Sequence, residues 1–393
     1  MKIERVETYH VGTSLWAELW EREKHLPLVT PLSGYAAYRH PYSTWYWDPA
    51  MTLVVLTTDD GKVGLGWTED GVAAARAIID RHLRRFVLGQ SPFDVERLWD
   101  VMYRASIPYG RGGSALEAIA AIDIALWDLM GQATGQPVYA LLGGACRESV
   151  RLYASALHPV GPEKVAAEVR GYVEAGYRAV KGRFPCGPAD GLHGMRANEA
   201  HIKTMREAAG PDIELACDAY MGWDATYAKA MCRMLEKYDL AWIEEPVIPD
   251  DVLGYARIRR ATSIPISGGE HEFTRWGFER LFEAAALDIA QPDLHRCGGF
   301  TEARRIAAMA SARGLPVINH TYSLPHVHFS LATANCPMLE HFPEPVWADP
   351  LPAARPLFVG EPRIERATVR PPERPGLGVT LDRDRLGELV TAV

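Results

Sequence analysis

The feature that most constrains this chain is an alternation. From about Ser114 onward, eight strand-like runs (VRLYASAL, YRAVKGRF, IELACDAY, LAWIEEP, IPISGGEH, LDIAQPD, PVINHTY and PMLEHF) succeed one another. Helical runs such as PEKVAAEVRGYVEAG, ATYAKAMCRMLEKY and TEARRIAAMASARG lie between most of them. Short apolar strands joined by crossover helices predict a parallel sheet closed into an α/β, (β/α)8-type barrel. An open doubly wound sheet is the alternative. No GxGxxG follows the first strand, which argues against a dinucleotide site, and Gly64 and Gly66 in VGLGW are read as part of a hairpin.

Before the barrel, IERVETYHV and MTLVVLTTDDGKVGLGW read as strands, the latter folded at Asp60-Gly61. VAAARAIIDRHLRRFV and DVERLWDVMYR carry helical periodicity. Between the first two strands, Gly12 to Trp47 is dense in Trp, Tyr, His and Pro. So long a loop is functional or disordered, and the aromatics argue against disorder. After Trp347 the chain is Pro-rich and poor in helix. The expected division is an α+β capping domain over 1–115, the barrel over 116–346, and a segment over 347–393 that returns to the cap.

Composition closes off several function classes. The 393 residues are 48% hydrophobic, enough for one large core and a smaller one. A net charge of −8 with no basic run excludes a nucleic-acid partner from the expectations. No apolar run approaches the roughly 20 residues that span a bilayer. MKIERVETYH has no apolar signal core, and the six cysteines are scattered without a CxxC pair. A cytoplasmic protein with reduced thiols is expected.

In such a barrel, catalytic groups sit at the C-terminal ends of the strands. Here successive strands end in Lys181 and Arg183, Asp218, Glu244, Glu270, Asp293, His320 and Glu340. Asp218, Glu244 and Glu270 are separated by 26 residues each, one βα unit per step. Three carboxylates converging from adjacent strands need a cation between them, since an unpaired buried carboxylate is costly. Oxygen-only ligation points to a hard ion, Mg²⁺ or Mn²⁺. Glu245 is expected to point away from Glu244 and to pair with a cation.

These residues resemble the enolase superfamily, specifically its mandelate racemase subgroup. The resemblance covers nearly the whole chain, including ALWDLMGQATGQPVYALLGG, the K-x-R of the second barrel strand, the acidic series and the tail RPGLGVTLD. It also covers the steps of 27 residues from Asp293 to His320 and 20 from His320 to Glu340. The resemblance implies a Mg²⁺-dependent enzyme that removes the proton α to a carboxylate. It makes His320 the base, with Asp293 orienting its ring. Lys181 or Arg183 would neutralise the enediolate, and a protonated Glu340 would hydrogen-bond the substrate carboxylate. Homo-oligomers, from dimers to octamers, are part of the same expectation.

The K-x-R motif departs from the K-x-K of the racemase itself. Positions 181 and 183 share a strand face, and the guanidinium of Arg183 is practically never deprotonated. One good base suits β-elimination: His320 takes the α-proton, a β-hydroxyl leaves as water, and a 2-keto-3-deoxy acid forms. The expected substrate is an acid sugar, an aldonate or aldarate. The runs GRFPCGPADGLHGMR and SGGEH resemble a loop and a metal strand of sugar-acid dehydratases. His271 and His295 are candidate substrate contacts. His25, Arg39, Tyr42 and Trp45 of the long loop are candidate specificity residues, with packing at an interface the alternative. The rival functions are a racemase or epimerase of a 2-hydroxy acid and a catalytically silent homologue.

Overall fold

The computed structural model describes residues 1–12, 26–38, 50–68, 73–344 and 356–390. Its cap is built on an antiparallel meander of β1 (Ile3–Gly12), β2 (Ala50–Thr58) and β3 (Val63–Trp67). Helix α1 (Val95–Ser106) and the long helix α2 (Ser114–Thr134) follow. The meander lies directly on α2. A Cβ on Gly64 would meet the Ala125 carbonyl oxygen at 2.3 Å, and one on Gly66 would meet that of Ala121 at 2.0 Å. The glycines of VGLGW therefore serve strand-on-helix contact, while the turn of the hairpin is made at Gly61, where φ is +81°.

Helix α2 is apolar on every side because every side is covered. Gly135, left-handed at φ 67°, ends it. Two buried carboxylates on it tie three parts of the chain together. Asp128 Oδ2 accepts from the Leu65 N–H of β3 at 2.8 Å, and Oδ1 accepts from the Leu377 N–H of the C-terminal segment at 2.8 Å. Asp123 Oδ2 accepts from the Thr301 N–H of the barrel at 3.0 Å, beside a 2.9 Å bond from Trp127 Nε1 to Thr301 Oγ1. Burial pushes the Asp128 carboxyl up to about 6, partly offset by the two backbone N–H groups.

The barrel comprises β4 (Val150–Ser155), β5 (Ala179–Arg183), β6 (Glu214–Asp218), β7 (Trp242–Glu244), β8 (Ile266–Gly268), β9 (Ile289–Ala290) and β10 (Met338–His341). All neighbours among them are parallel, and β10 pairs with β4 on the side away from β5. The strand read over PVINHTY contributes one bridge, Ala290 to Val317, rather than a ladder. Its outer helices include α3 (Pro162–Glu174), α4 (Gly191–Ala209), α5 (Ala225–Leu235), α6 (Val252–Arg259), α7 (Thr274–Glu283), the short α8 (Leu294–Cys297), α9 (Gly299–Ser311) and α10 (Leu324–Ala332). After β10 the chain leaves the barrel. Val369 and Thr368 pair antiparallel with Val150 and Arg151 at the start of β4, Phe358 packs on Trp67 at 4.7 Å, and Val390 bridges to Val11 of the cap. No helix among the described residues is long and apolar enough to cross a membrane.

Part of the long cap loop is described, and it sits on the barrel mouth. Val29 N–H donates to the Phe184 carbonyl at 3.0 Å. Its side chain fills a seat made by two glycines, where a Cβ on Gly187 or Gly222 would come within 2.8 or 2.5 Å of Val29 Cγ2.

Truncating Asp128 to Ala would leave two buried N–H groups without an acceptor. Chemical denaturation should show a loss of roughly 2–5 kcal/mol, whereas a loss under about 0.5 kcal/mol, the level of an ordinary surface change, would mean the carboxylate does not clamp cap, helix and tail.

Candidate active site

Strand alternation builds the site in two layers. Tyr153, Ala179, Ala216, Trp242, Ile289, Ile318 and Met338 pack together as an apolar plug in the barrel. Two residues further along each strand, on the same face, stand Ser155, Lys181, Asp218, Glu244, Gln291, His320 and Glu340. The lower layer excludes water from beneath, so the upper layer meets its charges in a low dielectric.

Lys181 is fully buried at the centre of that layer. Its Nζ pairs with Glu244 Oε1 and lies 2.9 Å from Glu340 Oε1. Burial alone would lower its pKa, but Glu244 and then Glu340 outweigh burial and hold it well above the ordinary lysine value. The second oxygen of Glu244 accepts from Trp242 Nε1 at 2.9 Å and Gln291 Nε2 at 2.7 Å. Arg183 Nη1 donates to Asp218 Oδ2 at 3.0 Å, and the Tyr220 N–H donates to Asp218 Oδ1 at 2.7 Å.

Two imidazole–carboxylate pairs flank Glu270. His320 Nδ1 bonds Asp293 Oδ2 at 2.7 Å, and its Nε2 lies 3.5 Å from Glu270 Oε1. On the other side, His271 Nδ1 bonds Glu245 at 2.9 Å and lies 3.6 Å from Glu270 Oε1. Burial opposes charge on His320, yet the Glu270 carboxylate and the Asp293 bond push it up to about 10. Burial raises Glu270, but His320, His271 and Arg296 together bring it below the usual range. The Thr321 N–H donates to Glu340 Oε2 at 2.8 Å. Burial is overridden at Glu340 by Lys181 and then His320, which hold it at about 2.

Asp218 and Glu244 are register partners across β6 and β7, and Glu270 follows the end of β8. All their donor atoms are carboxylate oxygens, the set a hard divalent ion takes. Asp218 is pushed up to about 8, first by burial and then by the charge of Glu244, and Glu244 is raised as well. This surplus of buried negative charge is what a dication would neutralise, so the three residues fit Mg²⁺. In the present geometry Asp218 pairs with Arg183 and Glu244 with Lys181. Among the described residues the trio whose ligand atoms lie within 4.8 Å of one another is Glu245, Glu270 and His271.

Glu245 has a φ of +39° and pairs with His271, the kind of basic partner expected for it. Other expectations change. Glu340, expected in its protonated form, is held here as an anion by Lys181. His295, a candidate substrate contact, is buried: its Nδ1 bonds the Trp67 carbonyl at 2.8 Å and its Nε2 bonds Ser323 Oγ at 2.9 Å. His271, with its side chain 21% exposed, does open onto the mouth. His25, Arg39, Tyr42 and Trp45 lie outside the described residues. Sequence reasoning passed over Ser155, Trp242 and Gln291. Their signal was positional: Trp242 precedes Glu244 by two, Gln291 precedes Asp293 by two, and Ser155 is in register with Lys181.

Comparison with known proteins agrees with this architecture. Residues 46–143 match the mandelate racemase/muconate lactonizing enzyme N-terminal domain, and residues 164–385 match the enolase C-terminal domain-like family. The chain is 40% identical over 359 residues to an L-rhamnonate dehydratase of Saccharopolyspora erythraea, covering 90% of this chain and 89% of that protein. A rhamnonate dehydratase of Gibberella zeae, solved in complex with Mg, superposes with a TM-score of 0.87 at 31% identity, over 99% of this chain and 96% of the other. A racemase of Streptomyces coelicolor A3(2) with bound magnesium gives 0.82 at 29% identity, over 99% of this chain and 100% of the other.

Because anions hold His320 protonated, a cation at Asp218, Glu244 and Glu270 should release that proton. NMR titration of His320 should give a pKa at least one unit lower in Mg²⁺ than in chelator. An unchanged titration would separate the ring from the ion.

Proposed function

Because this chain belongs to the mandelate racemase/muconate lactonizing enzyme family of the enolase superfamily, we propose that it is a Mg²⁺-dependent hydro-lyase converting an acid sugar to a 2-keto-3-deoxy acid. An aldonate of the L-rhamnonate class is the leading substrate, since relatives that match over most of the chain are named for it.

The observation that carries the dehydration reading is the asymmetry of the cations. Lys181 keeps Glu340 as an anionic partner when a metal takes Glu244, and Arg183 is a guanidinium. Neither is a base. A racemase needs a working acid–base group on each face of the α-carbon, whereas elimination needs one.

His320, steadied through Nδ1 by Asp293, takes the α-proton at Nε2. Asp218, Glu244 and Glu270 would hold Mg²⁺, which would supply Lewis-acid stabilisation for the substrate carboxylate. Lys181 stabilises the second negative charge that develops as the proton leaves. The His320 imidazolium then returns a proton to the departing β-hydroxyl, which leaves as water. The resulting enol tautomerises to the 2-keto-3-deoxy acid. The apolar plug beneath keeps bulk water from the enediolate.

The segment 26–38, seated by Val29 over the ends of β5 and β6, fits a role in shaping the substrate pocket from the cap side. The reading includes the division into cap (1–115), barrel (116–346) and returning segment (347–393). It also includes a homo-oligomer, which rests on family resemblance, and a cytoplasmic location, which rests on the scattered free cysteines.

Incubation with a panel of aldonic and aldaric acids in D₂O should yield a 2-keto-3-deoxy product from at least one. Recovery of an epimer with no keto acid would reject dehydration. His320→Asn should lower kcat by roughly 10²–10⁴-fold. Chelation with EDTA should abolish turnover and Mg²⁺ restore it; EDTA-resistant activity would count against the metal.

A further inference from the structure

Ser323 heads α10 in extended backbone, the position where a serine ordinarily caps a helix, yet its hydroxyl makes no capping bond. It bonds two buried histidines instead: His326 Nδ1 at 2.6 Å and His295 Nε2 at 2.9 Å. The chain of contacts runs on at both ends to backbone groups. His295 Nδ1 is 2.8 Å from the carbonyl oxygen of Trp67, the last residue of β3 in the cap. The Leu294 N–H reaches His326 Nε2 at 3.0 Å.

Those ends fix every proton between them. A carbonyl accepts, so His295 carries its proton on Nδ1 and its Nε2 must accept from Ser323. Ser323 Oγ then accepts from His326 Nδ1–H. A backbone N–H donates, so His326 Nε2 bears no proton. Both rings are neutral in this arrangement. Had His326 turned a proton toward Asp293 Oδ1, 3.4 Å away, the buried Leu294 N–H would lose its acceptor. Asp293 Oδ1 takes the His295 N–H at 2.7 Å and Oδ2 takes His320 Nδ1 at 2.7 Å, with Arg296 Nε 3.7 Å from Oδ2.

We propose that His295, Ser323 and His326 are positioning residues, a neutral, proton-ordered chain that fastens the cap's Trp67 carbonyl to the first turn of α8 and so sets the angle at which Asp293 presents His320 to substrate. The chain runs from one domain to the catalytic pair of the other, so the base is aligned when the cap is seated. This rests on the reading of His320 as the base. Its tests separate the two claims.

Nitrogen-15 NMR of the labelled protein should find His295 and His326 neutral and protonated on Nδ1 from pH 5.5 to 8. An Nε2–H tautomer, or an imidazolium, at either ring overturns the chain whatever the activity. In kinetics, Ser323→Ala should lower kcat about 10-fold, the scale of a slight misplacement of a catalytic group. KM should stay within about twofold, the acid limb of the kcat–pH profile should shift, and Ser323→Thr should recover most of the loss. His295→Asn should behave like Ser323→Ala, and the double variant should be no worse than either, since both break one chain. Unchanged kcat in Ser323→Ala, no recovery with Thr, or fully additive losses would each defeat the proposal. Turnover surviving in His320→Asn would instead defeat the assignment of the base, while the tautomers would still decide whether the chain exists.

Discussion

The upper half of the barrel is governed by buried charge. Asp218, Glu244, Glu245, Glu270, Asp293 and Glu340 are all buried within one mouth. Ions removed from water lose several kcal/mol of solvation each, and attraction offsets this only where the pairing geometry is good. Lys181, Arg183, Arg296 and the imidazoles of His271 and His320 provide that pairing. The balance is still incomplete, as the raised pKa values of Asp218 and Glu244 show. The same field locks Lys181 as a cation and holds His320 protonated. The fit to a dication, the protonation of His320 and the charge on Lys181 are thus three consequences of one electrostatic arrangement.

Such a field needs a rigid frame, and helix α2 supplies much of it. The helix touches the cap meander through Gly64 and Gly66, the barrel through Asp123 and Trp127, and the C-terminal segment through Asp128. A Cβ on Gly131 would meet Gly376 Cα at 2.5 Å, so the tail motif RPGLG packs backbone to backbone against the helix. Its two buried carboxylates bond mainly to backbone N–H groups of other segments. They orient those segments without adding a second mobile side chain.

How much of this was legible depended on period. Parallel strands bury both faces and need crossover helices, so the barrel could be read from the alternation of segments. The 26-residue steps could be read because the two βα units from Asp218 to Glu244 and from Glu244 to Glu270 have the same length. The seventh strand could not, since PVINHTY is apolar enough for a ladder but makes a single bridge at Val317. His295 misled for a related reason. Two residues past Asp293 would share its face in a strand, but α8 begins there and turns the ring toward Trp67. The Ser323–His326 contact was open to reading as a helix-start spacing, yet its link to Trp67 spans two domains and leaves no local trace.

Alternation alone also fails to account for the rim of the site. A continued strand would send the residue after Glu244 to the outer face. Instead the backbone at Leu157, Tyr220, Met221, Glu245 and Thr321 has positive φ, each just beyond the end of a barrel strand or bridge. Non-glycine residues in this conformation cost on the order of 1–3 kcal/mol apiece and persist where surroundings hold them. The returns are specific. The turn at Glu245 brings its carboxylate back to His271, and the turn at Thr321 aims its N–H at Glu340. The turn at Tyr220 aims an N–H at Asp218. Backbone strain thus supplies donors and acceptors that the pleat of the strands would have pointed elsewhere. A site with this many buried anions could not be satisfied by side chains of the inward row alone.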